Sequence, residues 1–250
     1  MNWIYLSPHL DDAVLSCGAL IREQTNAGEQ VSIWTLCAGE PPPGPLSPFA
    51  QSLHQRWQVG REAIAERRKE DIRACKLLGS EYRHFQIPDC IYRKDPHNGE
   101  YLYTSETALF GPLQPAEAGL VSSVYETLAQ SLPPQCELVC PLTLGGHVDH
   151  RLTRQAAERL NRTMHYYADF PYVLDHQAVL EELERQAWEW KLFPISTSGQ
   201  RAWEQAVAAY QSQISTFWSD IPEMQAALRA YAHRVTGVRL WKRFAPYENA

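Results

Sequence analysis

Two short clusters of imidazoles and carboxylates lie far apart in this 250-residue sequence, and each follows an apolar run. Ser-Pro-His-Leu-Asp-Asp at residues 7–12 comes after the apolar residues 3–6, and His-Val-Asp-His at residues 147–150 comes after the apolar residues 138–142. An apolar run that ends in a polar turn before a helical pattern is typical of the carboxyl end of a strand, where open α/β sheets bind their ligands. The two clusters together predict one metal site.

The clusters can supply the ligands of a catalytic zinc ion. Such an ion binds nitrogen and oxygen atoms of three protein residues and keeps a fourth position open for water. His9, Asp12 and His150 offer atoms of these types. Two neighbouring carboxylates repel each other in a confined site, and a divalent cation offsets that repulsion. Asp11 is then free to act as the general base that takes a proton from the water activated by the ion.

The remaining members of the second cluster fit the later part of the same reaction. His147 lies three residues before His150, where it can stabilise an oxyanion or protonate the leaving amine if it is charged. Asp149 is the nearest carboxylate that can hold it in the charged state. These side chains together predict hydroxide attack on the polarised carbonyl of an amide.

Each cluster taken alone also has an ordinary structural interpretation. The early carboxylates are typical of a helix N-cap with a solvated neighbour, and a lone His-x-x-His pair is typical of two surface or core histidines on a helical turn. Their joint occurrence favours metal binding, because both clusters follow predicted strands and precede predicted helices at one edge of one sheet.

The elements that must position these residues alternate between strand and helix through the first 165 residues, which is typical of an α/β fold with a mainly parallel sheet. The pattern predicts strands at residues 3–6, 31–37, 82–87, 137–142 and 164–167, and helices at residues 13–27, 49–78, 116–131 and 149–160. Residues 90–115 have no clean period and predict a long loop over the same edge of the sheet. From about residue 176 the pattern is mostly helical, with a late strand at residues 238–241. We expect these helices to pack on one flank of the sheet, with a self-association surface as the alternative.

Charge, hydropathy and cysteine content limit which partners and which cellular compartment are expected for the protein. The net charge is -6, and lysines and arginines form no stripe, so nucleic acid is excluded as a partner. No apolar window approaches the length of a membrane span, and the amino terminus lacks the pattern of a signal peptide, which predicts a cytoplasmic protein. The six cysteines form no CxxC pair, so we expect buried, reduced thiols.

The two clusters also resemble the signatures of the LmbE-like (PIG-L) family of zinc-dependent N-deacetylases, whose usual forms are His-Pro-Asp-Asp and His-Pro-Asp-His. Their order and separation are similar to the family's, as are Arg67-x-x-Glu70 before Leu78-Gly79 and the pair Pro88-Asp89. Leu10 and Val148 stand in place of the two family prolines. The resemblance covers residues 1–172. It implies a Rossmann-like, three-layer αβα core at residues 1–172, on which a mostly helical part at residues 173–250 packs within a single domain.

The resemblance also implies a role for each matching residue. His9, Asp12 and His150 would hold one Zn²⁺ per chain, with another divalent ion as the alternative, Asp11 would be the general base, and His147 would be the charged partner backed by Asp149. Arg67 and Asp89 match positions that contact the sugar-bearing substrate. For Arg67 the structural alternative is a solvated pair with Glu70 on a helix face, and for Asp89 it is a turn cap.

These observations lead to the hypothesis of a metal-dependent hydrolase that removes the N-acetyl group from a small amino sugar or a glycoconjugate. One alternative is a metal-dependent phosphoester hydrolase, because His/Asp clusters also serve two-metal phosphate chemistry, and metal stoichiometry separates the two. The other is a sugar-binding module of the same fold without turnover. The sequence leaves the native substrate and self-association as a homo-oligomer open.

Overall fold

The computed structural model describes residues 1–60, 62–186 and 188–243, and these residues form one sheet flanked by helices. The described strands are β1 (Asn2–Ser7), β2 (Gln30–Thr35), β3 (Glu81–His84), β4 (Glu137–Pro141), β5 (His165–Tyr167), β6 (Trp188–Phe193) and β7 (Val238–Arg243). The described α-helices are α1 (Asp12–Asn26), α2 (Pro48–Arg56), α3 (Ala63–Leu78), α4 (Glu106–Leu109), α5 (Ala118–Ser131), α6 (Val148–Glu158), α7 (Gln177–Arg185), α8 (Thr197–Val207), α9 (Gln211–Phe217) and α10 (Ile221–Val235). Short 3-10 helices occupy Cys90–Tyr92, Pro115–Glu117 and Tyr172–Leu174.

The sheet has the strand order β3-β2-β1-β4-β5-β7-β6. The first five strands in this order pair in parallel, whereas β7 is antiparallel to both β5 and β6. Between β1 and β4 the strand order reverses its direction along the chain, and such a switch point opens a crevice outside the carboxyl ends of the two strands. The α/β class and the mainly parallel sheet predicted from the sequence are confirmed.

Two predictions of secondary structure are wrong, and each has a local cause. Residues 49–78 form two helices rather than one, because α2 ends at Arg56 and Gln58 then has a φ of 54°, in the left-handed region that a helix cannot continue through. Residues 188–193 lie in the mostly helical region of the prediction but form β6. The late strand is confirmed as β7, and β6 pairs with it as the edge strand of the sheet.

The C-terminal part of the chain packs closely on the helix that begins at the first cluster. The indole of Trp203 in α8 donates a hydrogen bond from Nε1 to the carbonyl oxygen of Val14 in α1 at 2.7 Å. A Cβ at Gly18 would lie 2.4 Å from Cδ1 of that indole, so only glycine allows the two helices to approach this closely. The packing of α8 therefore supports the start of α1.

Two expectations from composition can be compared with the structure. All six cysteines are free thiols and five of them are buried, as predicted. Within the described ranges, no helix combines the length and the apolar character needed to cross a lipid bilayer.

Candidate metal centre and active site

The two clusters meet at the switch point of the sheet, where β1 and β4 end side by side. The ring centroid of His9 lies 4.8 Å from that of His147 and 5.5 Å from that of His150, and the last two are 5.4 Å apart. Each of the three rings offers a nitrogen within 4.8 Å of the other two. Residues about 140 positions apart are thus brought together, as the sequence predicted.

The starts of α1 and α6 explain why these side chains face the crevice. Ser7, at the end of β1, accepts a hydrogen bond at Oγ from the backbone N–H of Ala13 at 3.1 Å, so a serine hydroxyl serves the first turn of α1. Asp11 stands at the N-cap position, and its carboxylate points to the site instead. At the start of α6, Nδ1 of His147 accepts from the backbone N–H of Asp149 at 3.2 Å.

Asp12 lies between two histidines that are each held from behind by another carboxylate. Its Oδ2 is 3.2 Å from Nδ1 of His9, and its Oδ1 is 3.3 Å from Nε2 of His150. On the far side of His9, Nε2 donates to Asp149 at 3.0 Å. On the far side of His150, Nδ1 donates to Asp169 at 2.6 Å. These outer carboxylates fix the ring orientations and leave one nitrogen of each histidine facing Asp12.

This arrangement fits a cation. If both histidines were neutral, the two outer hydrogen bonds would leave the lone pairs of His9 Nδ1 and His150 Nε2 directed at the anionic oxygens of Asp12. Such an arrangement is repulsive unless protons or a metal ion lie between them. Two imidazole nitrogens and a carboxylate oxygen are ligands that zinc binds in catalytic sites, so the donor set agrees with the predicted ion.

The pKa shifts of His9, His150 and Asp12 also indicate that the site favours positive charge. Burial lowers the pKa of His9, but Asp12 and Asp149 outweigh it and raise that pKa well above its usual range. Burial likewise lowers the pKa of His150, yet Asp12 and Asp169 raise it to about 10. Burial raises the pKa of the Asp12 carboxyl, whereas the charges on His150 and His9 lower it well below its usual range.

Asp11 has the ionisation behaviour of a general base. Its side chain is buried, and this burial together with repulsion by Asp12 raises its pKa to about 6, against the opposing attraction of Arg67 and His9. The nearest guanidinium nitrogen of Arg67 lies 3.8 Å from Asp11 Oδ2. A base whose pKa lies just below neutrality is ionised at pH 7 and still binds a proton well.

The predicted support of His147 by the Asp149 carboxylate is corrected by the structure. That carboxylate accepts hydrogen bonds from His9 and from the backbone N–H of Cys90, the latter at 3.0 Å, while only the backbone N–H of Asp149 bonds to His147. Burial and repulsion by His9 lower the pKa of His147 well below its usual range, despite attraction by Asp149. His147 is therefore neutral, with its proton on Nε2.

Arg93 is a member of the site that the sequence did not reveal. It is buried and forms ion pairs with Asp149 and with Glu117, the latter with 2.5 Å between Nε and Oε1. Burial lowers the pKa of Arg93, but Asp149 leads the interactions that raise it well above its usual range. Its charge keeps Asp149 ionised, and its partners are so distant in the chain that no local pattern marks it.

Asp169 was also missed, although a signal for it exists. It follows β5, the strand next to β4, so its position obeys the same rule that placed the two clusters at the carboxyl edge of the sheet. Besides His150, it binds the backbone N–H of Leu144 at 2.9 Å through its second oxygen. An isolated aspartate after a short strand has no recognisable spacing to a partner, which is why it was not singled out.

Arg67 and Asp89, the predicted substrate contacts, lie together at the cavity. A guanidinium nitrogen of Arg67 is 3.9 Å from Asp89 Oδ2. Arg67 and Glu70 are both buried, so the alternative of a solvated pair is wrong. The turn-cap alternative for Asp89 is confirmed, because its Oδ1 accepts from the backbone N–H of Ile91 at 3.2 Å. The second oxygen remains on the side of Arg67.

The site opens into a cavity of about 270 Å³. Its floor is lined by His9, Asp11, Asp12 and His147, and its upper walls come from α2, from the loop that follows β3 and from α9. These walls include Leu53, Trp57, Leu109, Phe110, Gln213 and Phe217. The prediction that residues 90–115 cover this edge of the sheet is confirmed, whereas the contribution of α9 was not foreseen.

Comparisons with known proteins agree with this geometry. The family model described as PIG-L: GlcNAc-PI de-N-acetylase matches residues 4–161. A 2'-N-acetylparomamine deacetylase of Niallia circulans is 29% identical over an alignment of 204 positions, which covers 74% of this chain and 72% of that protein. A protein of the same name from Streptomyces fradiae is 30% identical over an alignment of 195 positions, which covers 74% of this chain and 62% of that protein.

The fold agrees with that of a solved structure over its whole length. The crystal structure of the zinc-inhibited form of the teicoplanin deacetylase Orf2 superposes with a TM-score of 0.86 and 27% sequence identity, and the match covers 100% of both chains. The likeness therefore includes the C-terminal region that the family model does not reach.

Proposed function

This chain belongs to the PIG-L family, and on that premise we propose that it hydrolyses the N-acetyl group of an amino sugar or glycoconjugate with the residues that meet at the switch point. It is a metal-dependent deacetylase, a carbon–nitrogen hydrolase. The observation that carries the assignment of residues is the placement of Asp12 between His9 and His150 with Asp11 beside them. Relatives named for 2'-N-acetylparomamine and for teicoplanin support an N-acetylated sugar as the substrate class.

The proposed metal ligands are His9, Asp12 and His150, with one zinc ion per chain. Asp149 and Asp169 hold the two imidazoles in the tautomers that leave a ligating nitrogen free. A bound zinc ion would lower the pKa of a water molecule at the site and polarise the acetyl carbonyl group.

Asp11 moves the proton in this proposal. Its carboxylate, with a pKa of about 6, accepts a proton from the attacking water and later delivers it to the nitrogen of the leaving amine. His147 acts as a neutral donor, and its Nε2–H hydrogen-bonds to the oxygen of the acetyl group as that oxygen becomes negative. This role replaces the imidazolium that the sequence predicted.

Arg67 and Asp89 orient the sugar. They lie at the edge of the same cavity, where a guanidinium and a carboxylate oxygen can bind neighbouring hydroxyl groups. The cavity is close to the lower end of the volumes typical of small-molecule sites, about 300 Å³.

The test is release of acetate from N-acetylglucosamine by the purified protein, with equal formation of free amine. Activity should disappear with a chelator and return when zinc is added. An Asp11→Asn variant should keep its zinc but lose about 100- to 10,000-fold in kcat. Full activity in the chelated protein, or in Asp11→Asn, would contradict the proposal.

A further inference from the structure

Helix α3 carries charged side chains to two different places. Arg67, Glu70 and Asp71 are all buried. Arg67 faces the catalytic cavity, whereas Glu70 and Asp71 reach into the C-terminal part of the chain. The Arg-x-x-Glu pattern of the sequence is thus not an ion pair, because Arg67 faces Asp11 and Asp89 whereas Glu70 binds Ser212.

Glu70 and Asp71 fasten the start of α9. Oε1 of Glu70 accepts from the backbone N–H of Ser212 at 2.9 Å, and Oε2 accepts from the hydroxyl of the same serine at 2.6 Å. Asp71 accepts from the hydroxyl of Tyr210 at 2.6 Å and from Nε2 of His84 at 2.7 Å. Two buried carboxylates therefore hold residues 210–212 against α3.

The helix that is held in this way forms a wall of the catalytic cavity. Gln213, Thr216 and Phe217 line the cavity and are spaced as i, i+3 and i+4, which places them on one face of α9. Nε2 of Gln213 donates to Oγ of Ser212 at 2.9 Å, so its orientation depends on the hydroxyl that Glu70 binds. The Phe217 ring contacts that of Tyr172 edge-on at 6.1 Å between centroids.

We propose that this face of α9, composed of Gln213, Thr216 and Phe217, selects the sugar ring next to the scissile acetamide, and that Glu70 is its positioning residue. An amide and a hydroxyl beside an aromatic ring match a pyranose, which has hydroxyl groups on its edge and an apolar face. The inference rests on the proposed function and extends it. It assigns substrate selection to a helix that lies outside residues 4–161, the segment matched by the family model.

The carboxylate of Glu70 is suited to a positioning role because its replacement would change the hydrogen bonds of Ser212 and, through them, the orientation of Gln213. Replacement by glutamine keeps the shape but turns one acceptor into a donor, so one of the two donors of Ser212 would lose its partner. The hydroxyl that orients Gln213 would then be free to rotate. Within the part of the chain that the structure describes, the catalytic residues at the carboxyl ends of β1 and β4 form no hydrogen bond with Ser212, so the metal site should be preserved.

The experiment measures kcat/KM for acetate release from N-acetylglucosamine, N-acetylgalactosamine and N-acetylmannosamine, which differ only in the orientation of one hydroxyl or of the acetamide. The informative quantity is the ratio among the three sugars, because it does not depend on the fraction of folded enzyme. Gln213→Ala should change at least one ratio by about two- to tenfold, the effect of one hydrogen bond. Gln211→Ala is the matched control, because Gln211 is exposed on the same helix and should leave the ratios unchanged.

Glu70→Gln should change the same ratio in the same direction as Gln213→Ala, and the double variant should change it no further. A purely structural role for Glu70 would instead lower all three values by one factor. Unchanged ratios in Gln213→Ala and Phe217→Ala, with an active wild-type enzyme, would overturn the inference alone. Absence of acetate release by the wild-type enzyme from all three sugars would contradict the proposed function and this inference with it.

Discussion

Replacing Asp169 with asparagine should weaken zinc binding without removing any proposed ligand. Asp169 accepts from Nδ1 of His150 at 2.6 Å and from the backbone N–H of Leu144 at 2.9 Å, so both of its oxygens are in use. Asparagine has only one oxygen. If that oxygen keeps Leu144, the new NH₂ group faces His150 Nδ1, and the favoured tautomer then carries its proton on Nε2, the nitrogen proposed to bind zinc.

The size of the effect follows from this conflict. Loss of an outer partner of a metal-binding histidine typically costs about 10- to 100-fold in metal affinity, which corresponds to about 1.4–2.8 kcal/mol. We expect Asp169→Asn to fall in this range and to recover much of its activity at saturating zinc.

The assay is a competition titration with a chromophoric chelator at pH 7.5, accompanied by kcat/KM at several zinc concentrations. Asp175→Asn makes the same chemical change at an exposed position in the following turn and serves as the control. Zinc affinity of Asp169→Asn within about twofold of the wild type would refute the tautomer argument, since an affected His150 cannot bind equally well.

Three further predictions concern the neighbouring groups. His147→Ala should keep its zinc but lose about 100- to 1000-fold in kcat, the cost of one oxyanion donor, and zinc loss in this variant would instead make His147 a ligand. The kcat/KM of the wild type should fall as the pH drops through about 6, because Asp11 is then protonated. A bound cation would move this acidic limb of the pH profile to lower pH. An acidic limb whose midpoint lies above pH 7 would contradict the prediction. Arg93→Met should lower the free energy of unfolding in urea by about 3–5 kcal/mol, because the buried carboxylates of Asp149 and Glu117 lose their cation, and a change below about 1 kcal/mol would refute this.

The parts of the fold that follow from local patterning were predictable. Parallel strands buried on both faces, such as β1, are continuous apolar runs, and each polar cluster after such a run marks a carboxyl end. This pattern was enough to predict that His9 and His150 lie close together. The edge strand β6 was missed because it lies within a mainly helical region, although Trp188 and Trp190 alternate with charged residues at the period of a strand.

The supporting residues of the site were harder to predict for a physical reason. Asp169, Arg93 and Glu70 act through contacts with residues distant in the chain, and neither periodicity nor spacing records such contacts. The partners of the Asp149 carboxylate are likewise distant in the chain: it binds His9, the backbone N–H of Cys90 and Arg93 rather than the nearby ring of His147. Sequence clusters identified which side chains do chemistry, whereas tertiary structure decided which of them support one another.

The most direct test is a crystal structure of the protein with zinc, with diffraction data collected on both sides of the zinc absorption edge. One anomalous peak per chain is expected, bounded by Nδ1 of His9, Nε2 of His150 and the carboxylate of Asp12. Absence of a peak at this point would contradict the proposed metal site, and two peaks about 3.5–4 Å apart would favour the two-metal phosphoester hydrolase instead.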